Sequence, residues 1–200
     1  MKFDHIAIAC ETLDAGTRYV EDMLGVAPGP VGYHPHFGTH NRLLSLGGSE
    51  YLEVIAIDPE APAPDIPRWF DLDRFAGPPR PGNWVLRTGN LDAELARLGV
   101  AAGRPVALAR GPYRWRMAVP PTGILPFDNL HPALIEWDGP HPAPALPSSG
   151  CALSALVVRH PEAERMKRLL ALDDPRIAFE TGTPGLQAII ATPSGLRVLG

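Results

Sequence analysis

"FDHIAIACETLDAGTRYVEDMLG" occupies residues 3–25 and reads as a strand followed by a helix. In its first half polar and apolar residues alternate loosely, and the β-branched Ile6 and Ile8 favour an extended backbone. In its second half Leu13, Val20, Met23 and Leu24 fall near one face at helical spacing. Thr12 is suited to cap the start of this helix and Gly25 to end it. Extended segments follow: a loose one over residues 31–36, then "NRLLSLGG" (41–48) and "YLEVIAI" (51–57), joined by a Gly-Gly-Ser turn. The unit is a strand, a helix and three strands.

The same order returns twice. "NWVLRTG" starts a second unit at residue 83; "NLDAELARLG" is its helix, with Asn90 as cap, and "RPVALARG", "YRWRMAVP" and "HPALIEW" are its strands. A third unit runs through "CALSALVVR", "HPEAERMKRLLAL", "RIAFETG", "LQAIIATP" and "LRVLG". Proline clusters at 58–69, 76–83 and 138–150 separate the units, because proline neither donates to a sheet ladder nor tolerates helix before it. Internal repetition decides the fold class, α+β with tandem βαβββ units. The helix starts align Leu13-Asp14-Ala15 with Leu91-Asp92-Ala93, an offset of 78 residues that places His5 on Asn83. Aligning the last strands by their Ile/Leu-Glu pairs places Glu53 on Glu136. The third unit has Ala155 and Arg197 near the corresponding places.

With 200 residues and a net charge of −4 spread along the chain, no basic tract points to nucleic acid or to an anionic membrane surface. No apolar run is long enough to span a bilayer. Cys10 and Cys151 lack the paired spacing of a thiolate zinc site and read as buried thiols of a cytoplasmic protein. Nothing resembles a Ser-His-Asp set, a phosphate-binding glycine loop or a dinucleotide fingerprint.

Three of the seven histidines, His34, His36 and His40, lie within eight residues, shortly before Glu53 in an otherwise apolar strand. The cluster is either a ligand-binding mouth or a polar rim. Arg42 is suited to a two-pronged contact with a carboxylate or phosphate, or else to a surface ion pair. In "YRWRMAVP", Tyr113, Trp115 and Met117 share one strand face and Arg114 and Arg116 the other. An aromatic lining with arginines in solvent is the economical reading.

The runs "FDHIAIA", "HPHFGTHNRLLSLG" followed by "YLEVIAID", and "LPFDNLHPALIEWDGPHP" resemble the glyoxalase-like domain group of the vicinal oxygen chelate superfamily. That superfamily holds glyoxalases, extradiol dioxygenases and bleomycin-resistance proteins. The resemblance covers residues 1–142, with units at 1–58 and 83–138 forming one cup, and leaves 150–200 as an accessory βαβββ unit. It implies a divalent metal (zinc, nickel, iron or manganese) held by His5, Glu53 and Glu136, with the two glutamates also catalytic. Asn83 departs from the pattern, since a neutral amide is a weak ligand for these ions. Substrate contacts are expected from His34, His40, Asn41, Arg42, Asn83 and Trp115. Two functions follow: a metal-dependent lyase, isomerase or dioxygenase acting on a small oxygen-rich metabolite, or a metal-free protein that sequesters a small molecule. A third unit without a partner packs outside the cup or pairs with its twin in a homodimer.

Overall fold

The computed structural model describes residues 1–99 and 102–200. The shared Leu-Asp-Ala triplet proves to be a capping device. Thr12 Oγ1 accepts from Ala15 N at 3.2 Å to start α1 (Leu13–Leu24), and Asn90 Oδ1 accepts from Ala93 N at 3.0 Å to start α2 (Leu91–Leu98). Gly25 and Gly99 end the two helices with left-handed backbone, which glycine adopts without a side-chain clash.

The first unit contributes β1 (Lys2–Ala9), β2 (Gly32–His34), β3 (Thr39–Ser45) and β4 (Tyr51–Ile57). The second contributes β5 (Arg80–Arg87), β6 (Arg104–Arg110), β7 (Tyr113–Val119) and β8 (Ala133–Asp138). All eight form one curved sheet in the order β2-β3-β4-β1-β5-β8-β7-β6, with β1 and β5 antiparallel at the centre. The second half mirrors the first across that joint. The curl brings the outermost strands, β2 and β6, into contact and nearly closes the sheet.

Alternation divides the side chains between two faces. Phe3, Ile6, Ile8, Leu52, Val54, Trp84, Leu86 and Leu134 pack on the convex face against α1 and α2. Ala7, Ile55, Val85, Trp115, Met117, Ala133 and Ile135 face the concave side. Part of that hollow is filled by Trp69, Phe70 and Leu72 from the segment joining the two units, and by Leu125 from the loop before β8.

The third unit keeps the element order, with β9 (Ala152–Arg159), α3 (Ala163–Leu170), β10 (Ile177–Glu180), β11 (Gly185–Thr192) and β12 (Gly195–Leu199). It is wired differently, as a separate sheet in the order β10-β9-β11-β12. Here the strand after the helix pairs parallel with the first strand; in the first unit the last strand does so. Leu153, Leu156, Val158, Met166, Leu170 and Ile190 join the convex-face core, and Phe179 lies against Trp84 with ring centroids 6.2 Å apart. Of the two placements open to a spare unit, packing outside the cup of its own chain is thus realised. Among the described residues no helix is long and apolar enough to cross a membrane.

Candidate functional site

His5 and Glu53 lie on neighbouring parallel strands, with His5 opposite Tyr51 and Glu53 opposite Ala7. Both side chains enter the hollow. His5 Nε2 stands 3.6 Å from Glu53 Oε2, an ion-pair distance rather than a hydrogen bond. His5 stacks on Tyr51, with centroids 4.3 Å apart. Its other nitrogen, Nδ1, is 2.6 Å from Asp4 Oδ1. Asp4 sits where the β1–β5 register shifts between Phe3 and His5, so a bulge turns its carboxylate to the His5 side. There it also accepts from Trp137 Nε1 at 3.1 Å and meets His141 Nε2 at 2.9 Å.

These contacts fix the charges. Burial alone would lower the His5 pKa, but the hydrogen bond with Asp4 and the charge of Glu53 raise it to about 9, so the ring is an imidazolium at neutral pH. Burial opposes the charge on Asp4, but His141 and His5 hold its carboxyl well below the usual range. Burial likewise opposes the charge on Glu53, yet His5 and then Asn41 keep its carboxyl low and ionised.

On the far side of Glu53, Asn41 Nδ2 donates to Oε1 at 2.5 Å and lies 3.4 Å from His34 Nε2. Asn41 Oδ1 accepts from Arg110 Nη1 at 2.6 Å. A carboxylate on one end and a guanidinium on the other leave only one satisfactory orientation of that amide. Burial pushes the His34 pKa down to about 4, so the ring is neutral, and Nδ1 lies 3.2 Å from Thr39 Oγ1. The chain His5–Glu53–Asn41–Arg110, backed by Asp4 behind His5, borders a cleft walled by Trp69, Trp115, Trp137 and Tyr51.

His5, Glu53, His34, Asn41 and Trp115 therefore line one cleft. The other expected residues do not. Glu136 lies on the convex face, where Arg116 binds it and also donates to Asp92 of α2 at 2.9 Å. The registers explain the error. The pairing of His5 with Val85 and of Ala7 with Asn83 confirms that His5 and Asn83 correspond. Glu53 pairs with Ala7, so its counterpart must pair with Val85, and that residue is Ala133. Glu136 is three positions further along, and an odd shift exchanges the faces of a strand. Asn83 is buried on the concave side, but it donates to Asn129 O at 3.1 Å and does not border the cleft. His40 and Arg42 alternate with Asn41 and point away: His40 Nδ1 is 3.9 Å from Asp58, and Arg42 Nη1 donates to Gly29 O at 2.9 Å.

The expected metal set accordingly does not assemble. His5 and Glu53 face one another, but Ala133 and the tied Asn83 supply no counterparts, and Arg110 adds a fixed positive charge. Among the described residues no group of three or more His, Cys, Asp or Glu side chains is arranged to hold a metal ion. The residues present do not fit a divalent ion.

Sequence reasoning passed over Asp4, Arg110, Trp137 and His141. A signal existed for Arg110, which shares its strand face with the inward Leu108. None existed for Asp4, because a bulge breaks the alternation by which a face is read.

A family model described as a glyoxalase-like domain matches residues 3–172. Among solved structures, a hypothetical protein from Staphylococcus aureus superposes with a TM-score of 0.59 at 15% identity, over 92% of this chain and 86% of that one. The methylmalonyl-CoA epimerase from Mycobacterium tuberculosis matches with a TM-score of 0.45 at 20% identity, over 72% of this chain and 92% of that one. A Streptomyces coelicolor methylmalonyl-CoA epimerase in complex with 2-nitronate-propionyl-CoA gives 0.46 at 19%, over 70% and 99%. At these identities the likeness is one of fold. No curated protein sequence matches the chain.

Proposed function

The chain belongs to the glyoxalase-like domain family of the vicinal oxygen chelate superfamily, and from that premise we propose that it moves a proton on a small oxygen-rich metabolite held in the cup. One observation carries the reading: His5 and Glu53 oppose one another at 3.6 Å across a buried aromatic cleft. Their environments set the two pKa values apart, which assigns a base and an acid. Glu53, an ionised carboxylate, takes a proton from a substrate carbon next to a carbonyl. His5, an imidazolium backed by Asp4, donates to the carbonyl oxygen as negative charge develops there. Return of a proton to carbon gives an isomerase; loss of a neighbouring group gives a lyase. Neither step draws on a metal, and the dioxygenase reading has no donor set to support it.

A second reading has its own support. Both His5 nitrogens and both Glu53 oxygens already face partners, which suits a protein that sequesters its ligand without turnover. One experiment separates the two. Small 2-oxo and 2-hydroxy acids are incubated with the protein in deuterated water, and exchange at carbon is followed by NMR. The catalytic reading expects exchange that falls roughly 100-fold or more in Glu53→Gln and in His5→Ala. Binding without exchange would establish sequestration instead.

A further inference from the structure

We infer that the ligand of this cleft is a small organic carboxylate and that Arg110 holds its anionic head, an inference that rests on the reading of the His5–Glu53 cleft as the ligand site. The cleft has more hydrogen-bond donors than acceptors. Arg110 spends one Nη1 contact on Asn41, and its other guanidinium N–H groups have no acceptor among the described residues. Trp69 and Trp115 wall the same space, are 3% and 6% exposed, and their buried indole N–H groups have no partner. A buried donor left without an acceptor is costly, and two in one cleft mark where acceptor oxygens belong. Glu53, the only carboxylate bordering the cleft among the described residues, already faces Asn41 and His5. A carboxylate offers two oxygens that accept from a guanidinium and from indoles together.

The position of Arg110 is built in. It crosses from the last residue of β6 to Asn41 of β3, between the two ends of the curled sheet. Gly32 of β2 makes that crossing possible. A Cβ there would lie 2.7 Å from Arg110 Nη1 and 2.6 Å from Asn41 Oδ1. The three tryptophan rings call for a flat apolar body behind the charged head.

Benzoate and its neutral isostere benzamide test this, with tryptophan fluorescence of the full chain as the readout. Saturable quenching is expected from benzoate, with benzamide at least about tenfold weaker. Arg110→Gln should weaken benzoate by roughly 10- to 100-fold and abolish the preference. Arg110→Lys should fall between, because it keeps the charge and loses the fork. Trp115→Phe keeps the wall, removes one N–H, and should weaken benzoate several-fold; it carries the test if Arg110→Gln does not fold. Equal affinity for the two probes, no saturable binding of either, or unchanged benzoate affinity in Arg110→Gln or in Trp115→Phe would overturn the inference. Proton exchange in Glu53→Gln is a separate measurement, so acid–base chemistry can fail while carboxylate binding stands.

Discussion

Asp4 is wholly buried and gathers His5, His141 and Trp137, with Arg87 Nη1 a further 3.6 Å away. Its carboxylate fixes the orientation and the charge of His5, which makes stability depend on pH in a definite sense. The His5 pKa rises from an ordinary value near 6.5 to about 9 on folding. The resulting stabilisation is complete below about pH 6.5 and is lost as pH rises through 9, on the order of 3 kcal/mol in all. His34 and His131 work in the opposite direction. Burial holds each near 4, so stability falls as pH drops from about 6.5 towards 4. Melting temperature against pH should therefore peak near neutrality and decline on both sides. Asp4→Asn should lower the stability near neutrality by about 3 kcal/mol or more, and with it the melting temperature, and flatten the alkaline arm. An alkaline arm of unchanged slope in that variant would remove Asp4 as the cause. At this scale the family resemblance named His5, Glu53, Asn41 and Trp115, and the alternation of residues along the strands is consistent with their shared face. It could not find Asp4, which a bulge redirects, nor show that Asn41 and Arg110, 69 positions apart, meet through the closing of the sheet.

Strand register is where the reading of the sequence went astray, and it makes its own prediction. Capping residues and closing glycines marked α1 and α2, since those signals are local, whereas α3 has neither a side-chain cap nor a closing glycine. Register is not local: the choice between Ala133 and Glu136 as the partner of Glu53 depends on how β8 pairs with β5. Glu136→Ala removes one of two carboxylates from Arg116 on the convex face. It should leave benzoate quenching unchanged and lower the melting temperature only slightly, as for an ion pair near solvent. Ala133→Glu puts an unpaired carboxylate on the concave face at 2% exposure and should cost several kcal/mol. Similar, mild effects of the two substitutions would refute the register.

At the level of the whole molecule, residues 150–200 share a core with the cup. Trp84 and Phe3 of the large sheet meet Phe179 and Arg176 of the third unit, and Arg176 also binds Glu50 through two contacts at 2.7 and 2.8 Å. Uncovering each large convex-face side chain costs roughly 1.5–3 kcal/mol. A few of them rival a net stability of about 5–15 kcal/mol. A chain ending at residue 149 should therefore aggregate or bind a hydrophobic dye, as seen by light scattering and dye fluorescence. A soluble fragment melting at the full-length temperature would show that the units are independent. Light scattering of the intact chain tests the homodimer expected from the sequence in the same experiment.

That covering has a consequence for biosynthesis. The strands that meet at the centre of the large sheet, β1, β4 and β5, are all made before residue 88, and its last strand ends at residue 138. Part of the apolar layer that seals its convex side comes from residues 150–200, which are made after every strand of that sheet. Throughout synthesis the nascent cup is thus in the condition of the fragment ending at 149, with Trp84 exposed. Chaperone binding is expected to be strongest on chains stalled between residues 138 and 150, and to cease once β9–β12 have emerged and docked.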